Sequence, residues 1–132
     1  MSYGRQVVVG TPFADTVARV REHLQAEGFG VLTEIDVTGT LRTKLDAEIE
    51  DYVILGACNP PLAHRALQVD RSIGLLLPCN VVVRAGEAGT VVEALDPEIM
   101  VGLTGNPELK PIADDAAARL DRVLESLSAD TA

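Results

Sequence analysis

Two kinds of hydrophobic pattern alternate along the chain. In residues 13–24 and 112–127, apolar side chains recur every three or four positions, which is typical of a helix with one buried face. Shorter runs rich in valine, leucine and isoleucine, bounded by glycine, proline or asparagine, predict β-strands. The predicted strands cover residues 4–9, 29–36, 52–58, 74–84 and 90–95.

The two long helices carry recognisable signals at their ends. Thr11 and Pro12 predict the N-cap and the first residue of the first helix, and Gly28 predicts its end. The last helix is predicted to lie between Asn106 and Leu127. Its buried face is predicted to contain Ile112, Ala116, Leu120, Val123 and Leu127.

Two short helices are predicted to flank the third strand. One covers residues 37–46, and the other is predicted to be capped by Asn59, with Pro60 and Pro61 in its first turn. The resulting order predicts an α+β fold, in which a five-stranded, mainly antiparallel sheet carries the two long helices on one face. No repeat or linker divides the sequence, so residues 1–132 are predicted to form a single domain.

The third and fourth predicted strands are apolar on both sides. Their sequences are YVILGAC and GLLLPCNVVVR, and Pro78 within the second predicts a bulge, a bend or an edge position. Strands of this composition are usually covered on both faces. Because two long helices cover only one face, either the short helices or another subunit must cover the second. We therefore expect a homodimer.

Charge and composition exclude several classes of partner. The formal net charge is -9, which repels phosphate backbones and anionic lipid, so neither nucleic acid nor a membrane is expected as a partner. No apolar run approaches the ~20 residues of a spanning helix, and the amino terminus lacks the features of a signal peptide. Two cysteines in such a chain are expected to be reduced thiols. These observations predict a cytoplasmic protein.

One combination of motifs resembles a known family. The segments LGACNPP at residues 55–61 and IGLLLPCNVVV at residues 73–83 are similar to the signature of the domain-of-unknown-function family 302. Further similarity lies in residues 29–37, 96–97 and 105–109, so the resemblance covers nearly the whole chain. It implies a fold like that of the TATA-box-binding protein, generally in a dimer. It implies no reaction, cofactor or catalytic residue, and both cofactor and metal remain unknown.

The paired Cys-Asn motifs are the best candidates for a functional site. Cys58 and Cys79 are each followed by an asparagine, Asn59 and Asn80, where a proline interrupts the chain. Cys58 also precedes a predicted helix start, which is expected to lower the pKa of its thiol. His64 lies on that helix and is expected to share the pocket. We expect all five residues to converge at one rim of the sheet.

Three functions are compatible with these residues. The first is a binding module for a small molecule or a soft metal ion, and the second is a redox protein or enzyme that uses one thiol covalently. The third is a structural or partner-binding protein with inert cysteines, since free cysteine is among the most buried residue types. No nucleotide-binding loop or nucleophile elbow is present. Glu34 and Asp36 are interpreted as a solvated strand face rather than as acid/base machinery.

Overall fold

The computed structural model of the chain describes residues 2–130. Its strands are β1 (Gly4–Val9), β2 (Gly30–Asp36), β3 (Tyr52–Cys58), β4 (Cys79–Ala85) and β5 (Thr90–Leu95). Its α-helices are α1 (Phe13–Ala26), α2 (Val37–Leu45), α3 (Pro60–Val69), α4 (Glu98–Thr104) and α5 (Lys110–Asp130). Two 3₁₀ segments cover Arg71–Leu76 and Pro107–Leu109.

The strands form one antiparallel sheet in the order β1-β5-β4-β3-β2. Both β3 and β4 are therefore interior strands, which agrees with their apolar sequences. The predicted α+β class, with a five-stranded antiparallel sheet and two long helices, is confirmed. The likeness of this arrangement to the TATA-box-binding protein stays a prediction.

The main core lies between one face of the sheet and the two long helices. Alternate residues of the interior strands face α1 and α5, because successive side chains of a strand point to opposite sides. Val20 and Leu24 contribute from α1, and the predicted apolar stripe of α5 is buried throughout its length. Fully buried leucine and valine side chains stabilise such a core by about 1.5–3 kcal/mol each.

A second, smaller core lies beyond one end of the sheet. It combines the first half of α5 with α3, α4 and the two 3₁₀ segments, and its buried residues include Leu62, Ile73, Met100 and Leu109. The short helices therefore extend the helical layer beyond the strand ends.

Two predicted elements differ in the structure, and one further helix was not predicted. Helix α1 begins at Phe13, and Pro12 occupies the N-cap position without a side-chain cap. Thr11 is therefore not the N-cap, and its hydroxyl lies 2.7 Å from the Thr16 hydroxyl instead. Residues 71–76 form a 3₁₀ segment, so β4 begins only at Cys79. Helix α4 was not predicted, because its seven residues are too few to show a helical period.

A bulge in β2 changes which of its side chains are buried. The pairing with β3 shifts between Val31 and Thr33. Phe29 and Val31 consequently pack against the main core, whereas Ile35 is 49% exposed. Val31 and Ile35 therefore lie on opposite faces of the sheet, although strict alternation along the strand would place them on the same face.

The second face of the sheet has no layer over it within the described residues. We call this the open face and define it by the outward side chains of the strands. A row of three apolar residues, Ile35, Ile54 and Val82, crosses β2, β3 and β4 in register on this face. Arg84 and Glu93, also on it, form an ion pair of 3.0 Å. The open face thus has an apolar row across three strands, and the charges of Arg84 and Glu93 neutralise each other.

Candidate functional site

Cys58 and Cys79 lie side by side at one end of the sheet. In an antiparallel pair, the end of one strand lies beside the start of the next. Cys58 is the last residue of β3 and Cys79 is the first of β4, where it pairs with Ala57. The backbone positions of the two cysteines are therefore close, as predicted, although the residues are distant in sequence.

Both cysteines line one cleft, which lies where the main core meets the second core. Helices α3, α4 and α5 form its other walls. The lining comprises Phe29, Ala57, Cys58, Asn59, Leu62, Ala63, Ala66, Leu77, Pro78, Cys79, Met100, Ile112 and Ala116. Apart from the sulfur atoms and Asn59, these side chains are hydrocarbon. The cleft is therefore an apolar environment that favours uncharged groups.

The space in the cleft is about 30 Å³. This volume holds little more than one water molecule. Pockets for metabolites and drug-sized ligands usually measure about 300–1,000 Å³. As it stands, the cleft fits a single ion or a very small molecule, and a larger ligand requires the walls to move apart.

Asn59 is buried and holds the start of α3 against the sheet. Its Oδ1 accepts a hydrogen bond of 3.3 Å from the Leu62 amide, so its predicted role as helix cap is confirmed. Its Nδ2 lies 3.0 Å from the place where a Cβ on Gly28 would stand. Gly28 also has a φ of 85°, which glycine adopts most easily. This close approach positions Cys58, the neighbour of Asn59, at the cleft.

Burial raises the pKa of both thiols. The pKa of the half-buried Cys58 lies above its ordinary value because the charged form loses hydration. For Cys79, burial and then the neighbouring Cys58 raise the pKa from 9.0 to about 11. The prediction that the start of α3 lowers the pKa of Cys58 is wrong, since burial raises it and the Asn59 side chain already occupies one amide of the helix start. Both groups are neutral thiols at pH 7.

Asn80 does not belong to the cleft. It follows Cys79 in β4, so its side chain leaves the sheet on the opposite side and is exposed on the open face. There it lines a separate groove with Tyr3, Tyr52 and Val82. The prediction that both Cys-Asn pairs converge on one pocket is therefore wrong for the second asparagine.

His64 is also outside the cleft. Helix α3 turns Leu62 and Ala66 towards the core, and His64, midway between them along the helix, is exposed to solvent. The cleft is lined by the preceding residue, Ala63, instead. The predicted contribution of an imidazole to the site is wrong.

Met100 is a lining residue that the sequence did not single out. It comes from α4, is 4% exposed, and lines the same cleft as the two cysteines. Only Met1 and Met100 occur in the chain, so an isolated methionine beside a short helix gave no recognisable pattern. Methionine commonly fills irregular gaps in a core, and this packing role also applies here.

Glu34 and Asp36 are both exposed, as the sequence predicted, and each makes a local structural contact. Glu34 forms an ion pair of 2.6 Å with Arg21 of α1. Asp36 caps α2, since its Oδ1 accepts a hydrogen bond of 2.9 Å from the Gly39 amide. Within residues 2–130, no group of three or more His, Cys, Asp or Glu side chains is arranged to hold a metal ion.

Comparison with known proteins places these features in a family context. The model of the family described as domain of unknown function DUF302 matches residues 5–127. A similar solved structure is the crystal structure of an uncharacterized conserved protein DUF302 from Bacillus stearothermophilus. It is 35% identical, with a TM-score of 0.90, over 96% of this chain and 99% of that chain. No curated protein matches the chain.

No helix in the described part of the chain combines the length and the apolar character needed to cross a membrane.

Proposed function

Since the chain belongs to the DUF302 family of unknown function, we propose a role from the geometry of its cleft. The protein is a small homodimeric module that binds a compact ligand, either a soft metal ion or a small apolar molecule, beside Cys58 and Cys79. The observation that carries this proposal is the shared apolar cleft, which is lined by a cysteine from each of two neighbouring strands.

The state of the thiols supports binding over nucleophilic catalysis. A catalytic or redox thiol is active as thiolate and usually has a lowered pKa in an electropositive surrounding. The pKa of Cys58 and that of Cys79 are both raised, and the other lining residues carry no positive charge. This environment disfavours the redox or catalytic alternative. The remaining alternative, inert structural cysteines, predicts that nothing binds in the cleft.

A ligand in the cleft is expected to stabilise the reduced protein. The test measures the melting temperature with a panel of probes: Cu(I), Cd²⁺ and Zn²⁺ under anaerobic conditions, and benzene and indole as apolar molecules. A probe at 100 times its dissociation constant adds about 2.7 kcal/mol to the free energy of unfolding. For a chain of this size, that corresponds to a rise of roughly 8–10 °C.

A variant with a filled cleft serves as the negative control for binding. Ala63→Leu places a larger side chain on the cleft wall and is expected to abolish the stabilisation. Ala18→Leu makes the same change at an exposed position of α1 and is expected to preserve it. If no probe raises the melting temperature of the parent, or if the rise persists in Ala63→Leu, the proposed function is wrong.

The open face supports the homodimeric part of the proposal. In a two-fold symmetric dimer, the same patch of both copies is in contact, so the patch must be complementary to itself. The apolar row of the open face satisfies this condition. Each chain has a formal net charge of -9, so two copies repel each other over most of their surfaces. The open face offers apolar side chains and the internally paired Arg84 and Glu93, where this repulsion is smallest. A second copy is thus the occupant that we propose for this face.

A charge in the centre of the open face is expected to dissociate the dimer. Ile54→Lys places one ammonium group from each copy into the interface, and the dissociation constant is expected to rise at least ~tenfold, or about 1.4 kcal/mol. Sedimentation velocity at micromolar concentrations measures this change. Leu75→Lys adds the same charge at a residue that is 88% exposed and outside the sheet, so it is expected to leave the dimer intact. A monomeric parent would contradict the proposal.

A cytoplasmic location and the absence of nucleic-acid and membrane partners stay predictions from charge and composition.

A further inference from the structure

One carboxamide interrupts the apolar lining of the cleft. Asn59 is 7% exposed and lines the cleft from the start of α3. The helix orients its amide, because only Oδ1 can accept the hydrogen bond from the Leu62 amide. The Nδ2 group, with two N–H donors, has no acceptor among residues 2–130. An unpaired donor on a residue buried to this extent is an exception in folded proteins and points to a partner from solution.

The unpaired Nδ2 lies on the side of the cleft where α1 is followed by β2. It is 3.0 Å from the place where a Cβ on Gly28 would stand, and the next residue, Phe29, lines the cleft. In the buried and half-buried residues of the described chain, every fully buried side-chain nitrogen or oxygen atom has a hydrogen-bond partner, so the unpaired Nδ2 retains access to solvent. The acceptor of a ligand can therefore replace water at this donor without breaking a hydrogen bond of the protein.

The electrostatics of the cleft favour an uncharged ligand. Its lining contains no Asp, Glu, Lys, Arg or His, and a charged group loses hydration in such surroundings. Arg119 is a cation near this side of the cleft, with Nη1 3.6 Å from the same Cβ position on Gly28, but its Nε pairs with Asp115 at 2.8 Å. The formal net charge of -9 also repels an anion.

The size of the cleft favours a small molecule. The space is about 30 Å³, so a ligand larger than water needs one wall to yield. Met100 forms part of the wall, and its unbranched side chain has three rotatable bonds with which it adapts to irregular space. The cleft thus fits a compact hydrocarbon body with one polar atom, since a few placed polar groups usually orient a ligand in an apolar site.

Resting on the proposed function, we propose that the compact ligand is a small uncharged carbonyl compound. Its oxygen accepts a hydrogen bond from Asn59 Nδ2, and its hydrocarbon body lies among the apolar residues of the cleft. Asn59 then has two separate tasks, because Oδ1 holds the start of α3 and Nδ2 positions the ligand. Binding is noncovalent, and no further reactant is required.

The test compares cyclopentanone with cyclopentane, which has the same ring but no acceptor. Each compound is titrated into the reduced, ¹⁵N-labelled protein and followed by NMR. The side-chain amide protons of Asn59 are expected to move downfield with cyclopentanone and not with cyclopentane. This comparison uses the parent protein alone, so it is valid whether or not a variant folds.

Removal of the donor is expected to weaken the binding of the ketone only. Asn59→Ser keeps a residue type that caps helices well but lacks the Nδ2 group. The affinity for cyclopentanone is expected to fall about three- to tenfold, the usual contribution of one uncharged hydrogen bond. The affinity for cyclopentane is expected to change by less than about twofold, because this ring makes no hydrogen bond to lose.

A second asparagine cap provides the matched control. Asn106 caps the Pro107–Leu109 segment in the same way, since its Oδ1 accepts a hydrogen bond of 3.0 Å from the Glu108 amide, but it does not line the cleft. Asn106→Ser is expected to leave both affinities within about twofold. Ala63→Leu, which fills the cleft, is expected to abolish the binding of both compounds.

The inference is overturned if cyclopentanone leaves the Asn59 amide protons in place, or if its affinity is unchanged in folded Asn59→Ser. If cyclopentane, benzene or a metal ion binds in the cleft while either of these results is found, the proposed function stands and the carbonyl inference fails. If none of these probes binds, the proposed function itself is wrong.

Discussion

Iodoacetamide is expected to alkylate Cys79 at least ~10-fold more slowly than an unperturbed peptide cysteine at about pH 8. Raising the pKa from 9.0 to about 11 lowers the thiolate fraction roughly 100-fold. The more basic thiolate is also the better nucleophile, which recovers about six- to tenfold of that loss. Cys79 is only 8% exposed, so restricted access slows the reaction further. The Cys58→Ser variant isolates this thiol for the measurement.

The pH profile of the alkylation rate separates the effect of the pKa from that of access. A raised pKa keeps Cys79 in the thiol form, so its rate is expected to grow about tenfold per pH unit up to about pH 10. Unfolding in urea serves as the control and is expected to restore the rate of a peptide cysteine. A rate that levels off below about pH 8 would indicate a stabilised thiolate, and the catalytic or redox alternative would then be favoured over binding.

Gly56→Val is expected to lower the free energy of unfolding by about 2 kcal/mol and the melting temperature by about 7 °C. A Cβ at this position of β3 would overlap the Thr33 hydroxyl and would lie 2.9 Å from Cγ of Pro78. Both contacts are too close, and the proline ring cannot rotate away. The higher β-propensity of valine offsets only part of this overlap. Thermal and urea denaturation measure the loss.

Two further variants test the cause of this loss. Gly10→Val introduces the same side chain where no atom lies within 4 Å, and we expect a change within about 0.5 kcal/mol. Thr33→Ala combined with Gly56→Val is expected to recover roughly 1 kcal/mol, because it removes the closer of the two contacts. Displacement of Pro78 in Gly56→Val is also expected to speed the alkylation of Cys79. If Gly56→Val is as stable as the parent, the close packing of Pro78 over β3 is disproved.

The comparison of sequence and structure shows where local patterns suffice. Strands β1, β3 and β5 have their predicted bounds, because their β-branched runs end at glycine, proline or asparagine. The buried face of α5 also follows from its helical period. Asn59 is a helix cap both in the prediction and in the structure, since its interaction with α3 spans only three residues. The proximity of Cys58 and Cys79 was predictable because consecutive antiparallel strands place the end of one beside the start of the next.

Other features depend on contacts between elements that are distant in sequence. The Arg71–Leu76 segment is apolar enough for a strand, but it packs as a 3₁₀ turn in the second core, and this shortens β4. The resulting register places Asn80 on the open face, and the orientation of α3 exposes His64. A short helix, α4, brings Met100 to the cleft from a part of the chain without a recognisable period.

The sequence alone determined the order of the strands and of the two long helices, the acidic charge and the helix cap at Asn59, because each depends on composition or on residues that are close in the chain. The tertiary structure alone decided which residues of the two Cys-Asn motifs share a cleft and which way the thiol pKa values move. Burial is a property of the assembled layers. The same thiol beside a helix start has a lowered pKa in a polar setting and a raised one in an apolar cleft, and only the packing of α3, α4 and α5 against the sheet distinguishes the two.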